Sequence, residues 1–326
     1  MRTTFLIATA STLALTSAAL ADAPSVAVDI PPVHSLVAKV MEGVGTPDLI
    51  VQQGASPHGY SLRPAEAEAL QKADVVFWVG EALEPWLERS IDSLATDAKS
   101  VELMESEGTT ELEFREGATF EKHSHDHGDH DHEAEDHDHE HEHEADADHD
   151  EDHDHDHEAG EDHDHDHEAE ADHDHEEHAE HDHDHHGHDP HAWLDPENAR
   201  AWLDVIAADL SALDPENADT YAANAAAGKA ELESLIGEIE TELEGADGNF
   251  IVFHDAYHYF ENRFGISAAG SIRLGDASDP SPARIEEIRN KVAELKISCV
   301  YTEPQFNPGL VETVFEGTDA KVGVLE

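Results

Sequence analysis

SVAVDIPPVHSLVAKVME, residues 25–42, is a short apolar run ending at Ile30, a proline pair, and then a stretch whose apolar side chains recur every three or four positions. The run Ser25–Ile30 has the length and valine content of a buried strand. A helix is expected over Pro32–Glu42, since proline in a first turn gives up an N–H that has no partner there anyway. The unit then repeats. Asp48–Val51, Asp74–Val79 and Ser100–Leu103 read as strands, and Pro64–Lys72 and Ala82–Leu94 as helices. Strands alternating with helices in this way form a parallel sheet joined by crossover helices. An N-terminal α/β lobe is therefore expected over 22–120.

The alternation resumes near residue 189. Asp195-Pro196 opens a helix to about Ala212, and Asp214-Pro215-Glu216 opens another that meets no breaker before Gly228. If Gly228 and Gly237 are tolerated, that second helix runs to about Leu243; about 29 residues at 1.5 Å each span roughly 43 Å, enough to cross two lobes. Residues 189–214 are thus assigned to the N-terminal lobe and 215–245 to an interdomain helix. A second lobe is expected over 246–326, from Phe250–Phe253, Ala256–Phe264, Ile266–Ser271, Ser281–Leu295, Cys299–Thr302, Pro308–Glu316 and Val322–Leu325. The expected fold is α/β: two lobes with mainly parallel sheets joined by a long helix. Ligands of open α/β sheets bind at the carboxyl ends of strands, so the cleft between the lobes is the expected site.

Residues 121–188 interrupt this pattern with almost nothing but histidine, aspartate and glutamate, and EDHDHDHEA recurs at 151 and 161. The segment holds 24 of the 29 histidines and 32 of the 77 acidic residues. It has no apolar periodicity and too little to bury to offset the entropy of ordering it, so it reads as a disordered insertion. A solvated acidic loop is the plain reading of such a run. Histidine interleaved with aspartate adds little to solubility, however, and supplies the imidazole and carboxylate ligands that a borderline cation such as Zn²⁺ accepts. With no fixed geometry, the tract suits capture and buffering of metal better than catalysis.

Met1, Arg2 and the apolar run Phe5–Leu20 end at Ala19-Leu20-Ala21, the pattern of a secretory cleavage site, so 1–21 is expected to be a signal peptide and the protein to be exported. No cysteine sits at the cleavage point, which argues against a lipid anchor, and no later run is long enough to span a membrane. A net charge of −60 excludes nucleic acid as a natural partner, since phosphate contacts need a basic surface. The single cysteine, Cys299, asks for a partner in an exported chain. Together with the strand-like ending at Gly323–Glu326 it suggests a C-terminal truncation; a lone buried thiol acting as a small apolar residue is the alternative.

Five histidines lie outside the insertion: His34, His58, His191, His254 and His258. His58 falls in GASPHGY after the second strand, His191 in DPHAWLDP before a helix, and His254 after the strand Phe250–Phe253. Singly, each reads as a satisfied loop histidine. As a trio on strand-end loops beside a metal-gathering tract, they supply the protein half of a tetrahedral zinc site with the fourth position open. His258 stands four residues after His254, but Asp255-Ala256-Tyr257 lacks the glutamate base of a zinc hydrolase helix, so His258 is assigned to packing or solvent. His34, at a helix start, is assigned a structural role.

GASPH with YSLRP, the box HAWLDP, FHDAY with YFE, and EPQF resemble the periplasmic zinc-binding proteins of ABC importers, the ZnuA type of the metal-binding solute-binding family. The resemblance covers almost the whole mature chain, including a His/Asp-rich insertion before the second box. It implies two α/β lobes joined by a long helix, zinc in the cleft on His58, His191 and His254, and delivery to a membrane permease driven by an ATPase. It also implies a monomer. Manganese-binding relatives have a carboxylate where His254 stands, so the third imidazole favours zinc. Some zinc members have Glu before the first ligand; Pro57 here leaves the fourth position to water or to a carboxylate of the C-terminal lobe, and Glu326 is a poor candidate. The family's terminal helix and the cysteine that would pair with Cys299 are missing. A periplasmic zinc buffer without a transporter, and a zinc hydrolase, are the alternative functions. No motif pairs a ligand with a general base, which argues against the hydrolase.

Overall fold

The computed structural model describes residues 23–115, 187–246, 248–273, 280–306 and 309–325. Two four-stranded sheets, both wholly parallel, organise them. The first takes β1 (Val26–Val28), β2 (Asp48–Leu49), β3 (Val75–Trp78) and β4 (Lys99–Glu102) in the order β2-β1-β3-β4. Its helices are α1 (Pro31–Val40), α2 (Pro64–Lys72) and α3 (Pro85–Leu94), each with proline in its first turn. Alternation along the strands sorts the core onto two faces. Val26, Val28, Val75, Phe77 and Val101 pack with α1, whereas Ala27, Val76 and Trp78 meet Leu70, Leu87 and Ile91 of α2 and α3. Burial on both faces explains the near-continuous apolar strands.

Two long helices follow. α4 (Pro196–Leu213) is capped by Asp195, whose carboxylate accepts from the Glu197 N–H, and α5 (Ala218–Leu243) runs for 26 residues, about 39 Å. Tyr221, Ala225 and Gly228 form its buried stripe against the first lobe. Gly228 marks the tightest approach, because an added Cβ would stand 3.0 Å from Leu203 Cδ1 and 3.2 Å from Lys39 Cγ. Beyond that point α5 is exposed, with Leu235 at 44%, and leads out to the second lobe. No described helix is long and apolar enough to cross a membrane.

The second sheet takes β5 (Phe250–His254), β6 (Ser271–Arg273), β7 (Cys299–Thr302) and β8 (Lys321–Val324) in the order β6-β5-β7-β8, with α6 (His258–Phe264), α7 (Pro282–Leu295) and α8 (Gly309–Phe315). The strand expected over Ile266–Ser271 begins only at Ser271. Gly265 ends α6 in the left-handed conformation at φ +66°, Ile266 N–H bonds back to Glu261 O, and Ala268 N–H donates to the Glu261 carboxylate, so those residues close the helix instead. The helix expected from Ala256 starts at His258 for a related reason: Ala256 N–H turns back onto His254 O. Cys299 is a free, half-buried thiol. The segments 1–22 and 116–186, which include the expected signal peptide and nearly all of the histidine-rich insertion, lie outside the described residues. Of that insertion, His188 is described; it forms an isolated antiparallel bridge with Glu113.

The first lobe buries two carboxyl groups together. Asp29, just after β1, accepts from Ile30 N–H at 2.6 Å and from Val79 N–H at 2.5 Å, tying the carboxyl ends of β1 and β3. Glu84, at the N-cap of α3, is equally inaccessible and lies beside Asp29. Burial pushes Asp29 up to about 7 against the pull of those N–H groups; burial and then the charge of Asp29 push Glu84 well above the carboxylate range. Since the folded state holds these protons more tightly than the unfolded chain, the pair's contribution is full below the ordinary carboxylate range and is lost as pH rises through about 7. Glu84→Gln removes one titrating group, so the metal-free variant is expected to melt a few degrees above the parent at alkaline pH and level with it near pH 5. An equal difference at both pH values would contradict this.

Candidate metal centre

The carboxyl ends of both sheets supply the site. β2 feeds the loop Val51–Tyr60, which turns at Gly54 with φ +80° and is pinned where Trp86 Nε1–H donates to Pro57 O at 2.7 Å. Tyr60 packs beside Trp86 at 5.7 Å between centroids and donates its hydroxyl to Glu66 at 2.9 Å. These contacts set the half-buried His58. His191 precedes a single 3-10 turn, Ala192–Leu194, which leads into α4, and it is 5% exposed. His254 is the last residue of β5 and is 4% exposed. Its neighbour in the sheet is β7, and the chain leaves β5 for β6 on the other side, so His254 stands at the point where strand order reverses. Such switch points open a crevice at the carboxyl edge.

The structure brings His58, His191 and His254 together: one ring nitrogen of each lies within 4.8 Å of the others. Ring centroids are 5.3 Å apart for His58 and His191, 5.4 Å for His191 and His254, and 6.3 Å for His58 and His254. Nitrogens around tetrahedral zinc at 2.0–2.1 Å are about 3.3 Å apart, so small inward movements of these rings suffice. The cleft they share encloses about 1560 Å³ and is walled by both lobes, with Pro57 and Trp193 on one side and Tyr257 and Glu303 on the other.

Two of the three rings are aimed by buried carboxylates. His191 Nδ1–H donates to Asp189 Oδ1 at 2.6 Å, and the same oxygen accepts His191 N–H at 3.0 Å. Its Nε2 is buried without a hydrogen-bond partner. A lone pair so placed is a ligand atom held ready, because leaving it unpaired in a dry site is otherwise unfavourable. His254 Nδ1–H donates to Glu303 Oε1 at 2.7 Å, while Gln305 Nε2–H holds Glu303 Oε2 at 2.7 Å. A carboxylate on Nδ1 fixes the tautomer and leaves Nε2 as the donor to metal. Burial pushes Asp189 up, but the His191 and His258 rings beside it outweigh this and hold it below the usual carboxylate range. Burial, and then the Glu303 charge, raise the Tyr257 phenol, which stays protonated.

Among the described residues no fourth ligand joins the trio. Glu303 is committed to His254 and Gln305, and Glu326 lies outside the described residues. His34 is elsewhere, its Nε2 at 3.1 Å from Pro47 O. His258 points its Nδ1 toward Asp189 at 3.7 Å and does not belong to the cluster. The sequence reading named the three histidines but gave no role to Asp189 or Glu303. Asp189 was within reach of that reading, since an acidic residue two before a ligand often bonds it locally; Glu303 lies 49 residues from His254 and becomes its neighbour only through the order of the sheet.

A family model described as "Zinc-uptake complex component A periplasmic" matches residues 26–326. The high-affinity zinc uptake system protein ZnuA of Brucella abortus (strain 2308) is 48% identical over 302 residues, covering 92% of this chain and 83% of its own length. That of Paracoccus denitrificans (strain Pd 1222) is 44% identical over 314 residues, covering 95% and 86%. A crystal structure of ZnuA superposes with a TM-score of 0.66 at 22% identity, over 93% of this chain and 91% of that one. AdcAII of Streptococcus pneumoniae follows at 0.64 and 20%, over 94% and 89%. Those two share the fold of parallel-sheet lobes and a long connecting helix. With a family match over nearly all of the chain and relatives approaching half identity, this protein belongs to the ZnuA family.

Proposed function

We propose that the protein binds Zn²⁺ in the periplasm through His58, His191 and His254 and delivers it to the membrane permease and ATPase of an ABC-type zinc importer. The observation that carries this reading is the convergence of three imidazole nitrogens within 4.8 Å across a cleft, two of them backed by buried carboxylates. An all-imidazole set suits a late divalent ion and offers nothing to a hard one. His58 and His191 belong to the first lobe and His254 to the second, so the ion joins the lobes when bound. Parting them withdraws a ligand and releases it. Binding and release are the whole of the chemistry; the relatives are zinc-uptake components, not enzymes.

The division of labour follows the sequence. Residues 1–21 direct export; 22–120 with 189–214 form one lobe, 215–245 the connecting helix, and 246–326 the other lobe. Residues 121–188 gather metal and pass it to the cleft site by ligand exchange, as a tethered donor at high effective concentration. The protein acts as a monomer.

Two experiments test this. In cells whose own zinc-uptake binding protein has been deleted, complemented with this chain and grown in chelated medium, His254→Ala is expected to abolish zinc uptake, whereas deletion of 121–188 reduces it only under strong chelation. Uptake by His254→Ala equal to the parent would overturn the site, and failure of the parent to restore growth would point to a buffer without a transporter. Separately, Glu303→Gln and Asp189→Asn are each expected to weaken zinc binding by about 10–100-fold in competition with a chromophoric chelator. Affinities equal to the parent would show that these carboxylates do not aim the ligands.

A further inference from the structure

The two lobes are tied to one another beside the metal centre, and three of the ties run through α6 or the turn before it. Tyr259 of α6 is buried in the core of the first lobe; its hydroxyl accepts from Leu112 N–H at 2.9 Å and donates to Asp189 O at 2.8 Å. Arg263 forks onto Asp195 with two contacts of 2.7 Å at a rim where the arginine is 33% exposed. The third tie is Arg115. Its segment belongs to the first lobe, where Leu112 packs on the core and Glu113 bridges His188. Its guanidinium reaches into the second lobe, donating from Nη1 to Glu261 Oε2 at 2.6 Å and from Nε to Asp255 Oδ2 at 3.2 Å, with Nη2 bonding both carboxylates.

We infer that Arg115 is a positioning residue that sets how long the cleft keeps its ion, by holding Asp255, and with it the adjacent ligand His254, against the lobe that carries His58 and His191. The inference rests on the three-histidine reading. Of the two charged ties, Arg115 is the drier. Its side chain is 13% exposed and its partners 7% and 3%, whereas the Arg263 pair is wetter and accordingly weaker. Glu261 is itself fixed from behind by Ala268 N–H at 3.0 Å, so the clamp closes on an immobile partner. Removing the guanidinium leaves two carboxylates of the second lobe without a counter-charge, and parting the lobes lets water reach them. Separation of the lobes is also what releases the ion. Lysine carries the charge but lacks the planar five-donor fork with which arginine engages both carboxylates.

The test uses the full chain loaded with zinc and mixed rapidly with excess chelator, followed by tryptophan emission. All four tryptophans lie outside the histidine-rich segment, and Trp193 sits 5.3 Å from His191, so the signal reports the cleft. Arg115→Ala is expected to release zinc on the order of tenfold faster or more. Arg115→Lys should fall between variant and parent, and Glu261→Gln, which loosens one half of the clamp, should do likewise. Release at the parent rate in the folded Lys and Gln variants would overturn the inference, even if Arg115→Ala failed to fold. So would a lowered melting temperature with an unchanged release rate, the signature of a purely structural arginine. A parent with 121–188 deleted that holds no zinc by metal analysis would overturn the three-histidine reading beneath it.

Discussion

Three imidazole nitrogens come within 4.8 Å of one another although two lobes carry them, and much of the structure follows from that constraint. Each lobe fixes its own contribution locally. In the first, the Trp86–Pro57 hydrogen bond and the Asp189–His191 pair set two rings; in the second, Glu303 sets one. The relative placement of the lobes then rests on a few polar contacts around α6 and on the anchored half of α5.

The charge distribution fits the same purpose at longer range. About half of the net charge of −60 falls between 121 and 188, where 32 acidic residues are met by one lysine. A field of that sign raises the local concentration of cations.

Much of this was legible in the sequence because the signals were local. Proline at helix starts, the valine-rich strands and the uninterrupted run after Pro215 each report on neighbours within a few residues, and the elements read from them lie where expected in the first lobe. The strand expected at Ile266 was misplaced because the apolar content of Ile266–Ser271 says strand, while a hydrogen bond to Glu261 and the left-handed Gly265 claim those residues for the end of a helix. The three histidines could be named from their motifs. Their supports could not, since Glu303 reaches His254 only through the β5–β7 pairing, and Arg115 reaches Asp255 only through the packing of one lobe on the other. The buried pair of Asp29 and Glu84 was equally hidden, one residue ending a strand and the other opening a helix 55 positions later.

The central claim is that one zinc ion is held by three imidazoles drawn from both lobes. Crystals of the zinc-loaded protein, with diffraction recorded on either side of the zinc absorption edge, test it most directly. The account predicts an anomalous peak in the cleft about 2.0–2.1 Å from one ring nitrogen each of His58, His191 and His254. A peak bound by only one of them, or no peak in the cleft of a protein that retains zinc, would contradict it.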